Sequence, residues 1–167
     1  GVKSLTRLGA NLITIHGQGG AVMLKAAADA AREAAEELGV ERPKLLAITV
    51  LTSFDDTTWS GIGGQLPIAD QVRRLALLAK DAGVDGVVAS PLEAKLIREA
   101  CGDDFLIVTP GIRPAFAAAN DQKRIATPSS ALRDGASRLV IGRPITKADN
   151  PREAVRMILE EMEAVKP

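Results

Sequence analysis

Aromatic side chains are scarce in this sequence: one Trp, three Phe and no Tyr among 167 residues. Proteins that hold single-stranded nucleic acid stack its bases on such rings, so that class of partner is disfavoured. An excess of either charge sign is missing as well. Lys plus Arg and Asp plus Glu stand at 21 each, which leaves no global basic field, so any anion binding must be local. Cysteine occurs once, at Cys101, too few for an internal disulfide or a thiolate metal cluster. No apolar run approaches the ~18 residues a membrane-spanning helix needs, and no charged-then-apolar leader pattern follows Gly1. The expectation is a cytoplasmic enzyme or binding protein, with no nucleic-acid or membrane partner and no metal.

What is present suits a globular domain. Hydrophobic residues make up 46% and charged residues 25%, and the chain is long enough for one domain with a substantial core. Residues 2–8 read as the end of an amphipathic helix closed by Gly9. A short apolar run, 12–15, leads into His16-Gly17-Gln18-Gly19-Gly20, and 21–38 has helical spacing that stops at Gly39. The run 45–51 (LLAITVL) is continuously apolar, as in a strand covered on both faces. A Gly-rich polar segment, 53–66, follows, containing Trp59 and Gly61-Ile62-Gly63-Gly64; then come a helix over 68–82, a strand over 86–89 and a helix over 91–100 opened by Pro91. Apolar runs at 106–109 and 139–141 predict two more strands, Thr127-Pro128 opens a helix between them, and 151–165 is the last helix.

Five strand–loop–helix repeats imply an α/β fold with a parallel sheet and right-handed crossovers. The loops that follow the strands carry the Gly, Ser, Thr and Arg residues, and in such folds ligands bind at that edge of the sheet. A closed (β/α)8 barrel takes eight strands and usually about 250 residues. Residues 1–167 therefore read as a single partial barrel domain, the C-terminal part of something larger.

The most informative stretch is 107–144. Two apolar runs there each end in a glycine turn bearing an arginine: Pro110-Gly111-Ile112-Arg113 and Gly142-Arg143-Pro144. Glycine lets backbone N–H groups approach an anion closely, and guanidinium offers a planar fork to phosphate oxygens. In barrels the loops after the last two strands often hold phosphate. Other residues carry weaker signals. His16, the only histidine, stands at a strand end, where a base is conceivable but a residue hydrogen-bonded within the barrel rim is the better explanation. Thr52 and Ser90 put hydroxyls after strands, where they also suit capping. Asp55-Asp56 and Asp103-Asp104 read as solvated loop acids, and Lys44 faces the wrong end of the sheet for catalysis. Cys101 reads as a small helix-end residue, and Trp59 as part of a lid or a subunit contact.

The segments GANLITIHGQGG, LLAITVLTS, GVDGVVASPLEA, VTPGIRP, DQKRIATPSSAL and LVIGRPIT, in this order, resemble the bacterial orotidine 5′-phosphate decarboxylases nearly end to end. The resemblance implies a TIM barrel of the (β/α)8 type, of which this chain holds about five βα units, corresponding to strands four to eight. It further implies a homodimer with active sites near the subunit interface. The implied reaction, without metal or organic cofactor, is decarboxylation of orotidine 5′-monophosphate to UMP in de novo pyrimidine synthesis. Matched by motif, Gly142 and Arg143 would hold the phosphate, with Gln122 closing over it. Arg113 and Thr52 would make further substrate contacts, and Ser90 would read the amide edge of the pyrimidine.

One departure matters. The catalytic block of the resembled family, Asp-x-Lys-x-x-Asp, does not occur here. No catalytic residue is therefore assigned, and the chain alone is expected to bind part of the nucleotide without decarboxylating it. The alternative is a non-catalytic module that binds a phosphate ligand.

Overall fold

In the structure, a computed structural model that describes residues 1–114, 116 and 126–165, the apolar runs form one five-stranded sheet with helices against one of its faces. The strands are β1 (Leu12–His16), β2 (Lys44–Ile48), β3 (Gly86–Val88), β4 (Leu106–Thr109) and β5 (Arg138–Leu139). Every neighbouring pair is parallel, and the spatial order is the sequence order, β1-β2-β3-β4-β5. A doubly wound sheet reverses its order at a switch point. A barrel wall does not reverse, and this sheet has the order of a barrel wall. Among the described residues β1 and β5 each have a strand on one side only.

The register separates two faces. Ile15, Ala47, Val87 and Ile107 lie in one cross-strand row, and all four pack into the main core beneath the helices. Leu45 and Ile107 are fully buried there, against Leu24 of α2 (Gly20–Leu38), Val72 of α4 (Ile68–Asp81) and Ile97 of α5 (Ala94–Cys101). Each such side chain contributes about 1.5–3 kcal/mol of transfer free energy, so stability is concentrated in this layer. The other face carries Leu12, Thr14 and His16 on β1, all exposed, next to Leu46 and Ile48 on β2. Alternation along β1 is therefore strict, with Ile13 buried at 4% and Leu12 at 41% exposure.

Glycine closes two helices as its sequence position suggests. Gly9 follows α1 (Val2–Arg7) with φ 78°, and Gly39 ends α2 with φ 65°, in the left-handed region that suits a residue without Cβ. At Gly86 the requirement is steric. A Cβ there would lie 2.3 Å from the Leu106 carbonyl oxygen on the paired strand.

Several expectations need correction. The strand expected over 45–51 ends at Ile48, because the Thr49 N–H and hydroxyl both donate to the Val88 carbonyl, at 3.1 and 2.9 Å, and the chain then leaves the ladder. The polar segment 53–66 holds an unforeseen helix, α3 (Asp56–Gly61). Asp55 caps it by accepting from Thr58 N–H at 2.8 Å, and Asp56 accepts from Ile68 N–H at 3.3 Å. That acidic pair is thus structural rather than merely solvated. The helix expected over 91–100 divides into a 3-10 turn, Pro91–Glu93, and α5. The last strand is shorter than its apolar run, although Val140 N–H still donates to Thr109 at 2.9 Å. Trp59 lies inside the core at 7% exposure, its indole N–H donating to Leu66 carbonyl at 2.9 Å. Cys101 ends α5, as expected of a small helix-end residue, and is buried. No helix of the described residues is long and apolar enough to cross a membrane.

Candidate functional site

Because the strands are parallel and run in order, the segments that follow β2, β3, β4 and β5 emerge along one edge of the sheet. Thr52 follows β2, Ser90 follows β3, Arg113 follows β4, and Gly142 with Arg143 follows β5. The backbone topology therefore brings to one rim five of the six residues that the sequence singles out. The sixth, Gln122, lies outside the described residues.

Ser90 is fully buried and caps the 3-10 turn, its Oγ accepting from Leu92 N–H at 3.3 Å. It thus performs the capping role anticipated from the sequence while sitting at the strand end. Thr52 is half-buried, beyond Val50, which drops into the core.

The two arginine turns share a support. Ile112, fully buried, forms a small second core with Ala131 and Ala136, and Leu139 and Ile141 pack against it. Ile112 immediately precedes Arg113, and Ile141 immediately precedes Gly142. The same apolar cluster therefore sets the height and separation of both turns above the sheet. Ala131 belongs to α6 (Pro128–Arg133), whose cap Thr127 accepts from Ser130 N–H at 3.2 Å. Gly111 adopts φ 77°, so the first turn depends on glycine for its shape.

Around this support the two arginines differ. Arg113 is only 7% exposed, with Nη1 donating to the Ile112 carbonyl at 2.8 Å and its main-chain N–H to the Ala126 carbonyl at 2.9 Å. Arg143 is half-buried and begins α7 (Arg143–Thr146), a short helix that the sequence did not suggest, with Gly142 as its N-cap. Gly142 has φ −102°, and a Cβ there would meet no atom within 4 Å. The second turn therefore does not need glycine for left-handed geometry, contrary to the symmetry of the two motifs. What glycine provides at Gly142 is open space over the backbone.

Sequence reading overlooked Glu93. It stands on the same 3-10 turn as Ser90 and is 6% exposed, so a carboxylate is drawn inside at the rim. Its placement within an apparently amphipathic helix gave no signal, because charges at helical spacing normally face solvent. His16 ends β1 and is exposed at the same edge. Lys44 begins β2 at the opposite end, 3.6 Å from Asp85, as the sequence suggested.

Such a rim carries two guanidinium groups, one buried and one half-buried, with an uncovered glycine backbone beside the second and the Ser90 hydroxyl after the third strand. That set suits an anionic group held at one end of a ligand whose other end is polar and neutral.

Comparison with known proteins gives a consistent result. Residues 2–158 match the family described as orotidine 5′-phosphate decarboxylase / HUMPS. The chain is 55% identical over 158 residues to the orotidine 5′-phosphate decarboxylase of Pelobacter propionicus, covering 95% of this chain and 65% of the relative. It is 52% identical over 165 residues to that of Moorella thermoacetica, covering 98% and 66%. Among solved structures, the orotidine 5′-phosphate decarboxylase of Lactobacillus acidophilus superposes with a TM-score of 0.80 at 45% identity, over 96% of this chain and 67% of that one. The chain thus spans about two thirds of the length of the relatives it matches.

Proposed function

The chain belongs to the orotidine 5′-phosphate decarboxylase / HUMPS family, and from that membership we propose that it supplies the phosphate- and pyrimidine-binding part of an orotidine 5′-monophosphate decarboxylase. The observation that carries the reading is the convergence of Ser90, Arg113, Gly142 and Arg143 on one rim, with both arginine turns resting on the Ile112 cluster.

In this reading Arg143 and the open backbone at Gly142 take the 5′-phosphate, aided by Gln122, while Arg113 and Thr52 contact the nucleotide further in. Ser90 pairs with the amide edge of the pyrimidine. The reaction replaces the C6 carboxylate with a proton, releasing carbon dioxide and leaving UMP. A carbanion develops at C6 with no electron sink in reach, so the barrier must be lowered by binding energy taken from elsewhere in the substrate. A grip on the remote phosphate supplies it, provided that it tightens as the site closes. These residues do no proton transfer. That chemistry belongs to an Asp-x-Lys-x-x-Asp block, which is absent from the 167 residues. The whole enzyme is a cytoplasmic homodimer in this reading.

The test is a titration of UMP into the chain, followed by phosphorus NMR. UMP is expected to bind, and Arg143→Ala to weaken it at least tenfold with the circular dichroism spectrum unchanged. A folded chain that ignores UMP, or an affinity that Arg143→Ala leaves unmoved, overturns the phosphate assignment. Binding of inorganic phosphate with equal affinity would instead favour a general phosphate-ligand module.

A further inference from the structure

We propose that the recess between the turn after β1, the glycine turn after α3 and the start of α4 is a second ligand site. Its ligand is a planar cyclic amide or ureide that carries one acid group, with Gln18, Gln65 and Gln71 at the amide edges and Arg74 at the acid.

Four short segments build this recess. Gln18 belongs to a 3-10 turn, Gly17–Gly19, that follows β1 directly. Trp59 lies in α3, and the chain folds back over its ring, the Gly64 N–H donating to the Trp59 carbonyl at 3.0 Å. Gly63 adopts φ 91°, and a Cβ at Gly64 would overlap the indole, so glycine is what lets the backbone close on the ring. The indole N–H is fixed on the Leu66 carbonyl, which makes the ring a rigid wall. Gln71 and Arg74 stand three residues apart in the first two turns of α4, hence on one face of it. The enclosed volume is about 320 Å³, within the range of small-molecule pockets, which begins near ~300 Å³.

The lining names the ligand. Among the described residues, none of the three glutamine side chains hydrogen-bonds to another protein group, and Arg74 has no carboxylate partner. Four hydrogen-bonding side chains therefore converge on one recess with their capacity unused. A primary amide presents a donor and an acceptor side by side. A ring amide or ureide, locked in the cis form, offers the complementary pair on a single edge. An ordinary trans peptide points its N–H and C=O in opposite directions and does not. The guanidinium takes a carboxylate through two parallel bonds. Arg74 is the only charged residue among the described residues of the lining, so one acid group on the ligand balances it. The indole and the exposed side chain of Ile62 supply apolar surface for a flat ring. No rim residue assigned to the nucleotide belongs to this recess, so the two sites stand or fall separately.

The experiment uses the single Trp of the chain, whose indole N–H gives one resonance in a nitrogen–proton correlation spectrum. Orotate, a ureide ring with one carboxylate, is expected to move that resonance saturably. Uracil lacks the acid, benzoate lacks the ureide, and N-acetylglycine has a trans amide; each should bind about tenfold more weakly or worse. Arg74→Ala and Gln71→Ala should each weaken orotate about tenfold with the circular dichroism spectrum unchanged. Arg143→Ala, which should damage UMP binding at the rim, should leave orotate affinity where it was. Absence of a saturable shift overturns the proposal. So does benzoate or N-acetylglycine binding as tightly as orotate, because the recess would then read charge alone. Loss of orotate binding in Arg143→Ala but not in Arg74→Ala would put the ligand at the rim and overturn it as well.

Discussion

The main-chain N–H of Arg113 donates to the carbonyl oxygen of Ala126 at 2.9 Å, and Ile112 pairs in parallel with Ala126 just before it. The chain leaves the rim after Arg113 and returns to the same point at Ala126, so both ends of the intervening stretch are pinned where the arginine is buried. Its guanidinium is therefore placed by the fold itself, while Arg143 stands half-buried at the start of a four-residue helix. The proposed ligand would meet one cation buried beyond the fourth strand and one half-buried at the start of that helix.

This difference makes Arg113→Lys informative. Lysine keeps the charge but offers a point ammonium in place of a planar fork. The main-chain bond to Ala126 does not involve the side chain, so the fold should persist, with a modest fall in melting temperature. UMP affinity is expected to drop about tenfold, the loss of a charge-assisted bidentate contact. A variant that binds UMP as well as the parent would show that Arg113 serves the fold alone.

The two glycine turns give a paired prediction. Gly111 has φ 77°, so Gly111→Ala should cost about 1–2 kcal/mol in a urea melt. At Gly142 the added methyl group meets nothing within 4 Å. Gly142→Ala should therefore change stability by less than about 1 kcal/mol, yet weaken UMP by crowding the space over the backbone. Equal stability losses in the two variants, with UMP binding intact, would mean that both glycines are there for the chain and neither for a ligand.

Much of this was legible in the sequence, because the informative signals are local. Apolar runs bounded by Gly and Pro located all five strands, and strand-following loops located the rim without reference to any side-chain geometry. The failures are also physical. The helix α3 was hidden in 53–66 because its stability comes from the Asp55 cap and the buried indole of Trp59, neither of which leaves a periodic trace. Gly111 and Gly142 look alike as motifs, since a sequence does not report φ. Glu93 read as a solvent-facing charge, and its burial depends on the 3-10 turn that shifts it inward.

Arg98 was likewise invisible in the sequence, and it ties three elements together. Its Nη1 donates to the carbonyls of Gly102, Asp103 and Phe105 at 2.6, 2.9 and 2.8 Å, and its Nη2 to the Gly135 carbonyl at 2.8 Å and Ser137 Oγ at 3.1 Å. Ser137 Oγ in turn accepts from Ile107 N–H of β4. One guanidinium thus fixes the end of α5, the entry to β4 and the turn before β5. Arg98→Ala should destabilise the chain by about 2–3 kcal/mol, since several carbonyls lose a charged donor together. Arg98→Lys should recover less than half, because an ammonium cannot span both groups of acceptors. Urea melts of the two variants decide it, and similar midpoints for Lys and Arg would show that charge alone suffices.

Cys101 yields a prediction about pH. Burial pushes its thiol up from the ordinary range, against the opposing pull of the Lys80 and Arg98 charges. Two consequences follow. The folded thiol should react slowly with Ellman's reagent at pH 8 and rapidly once urea unfolds the chain, since only the thiolate attacks and access is closed in the fold. Stability should also depend on pH in a definite sense. As pH rises through the ordinary thiol range, the unfolded chain gives up this proton before the folded one does. The unfolded state then binds fewer protons, and the free energy of unfolding falls with rising pH. The contribution is fully present below that range and is lost as pH climbs toward the raised folded value. Urea midpoints at pH 8 and pH 10 should therefore diverge more for the parent chain than for Cys101→Ala. If the variant shows the same divergence as the parent, the pH dependence comes from other groups, and the burial of Cys101 carries no proton linkage.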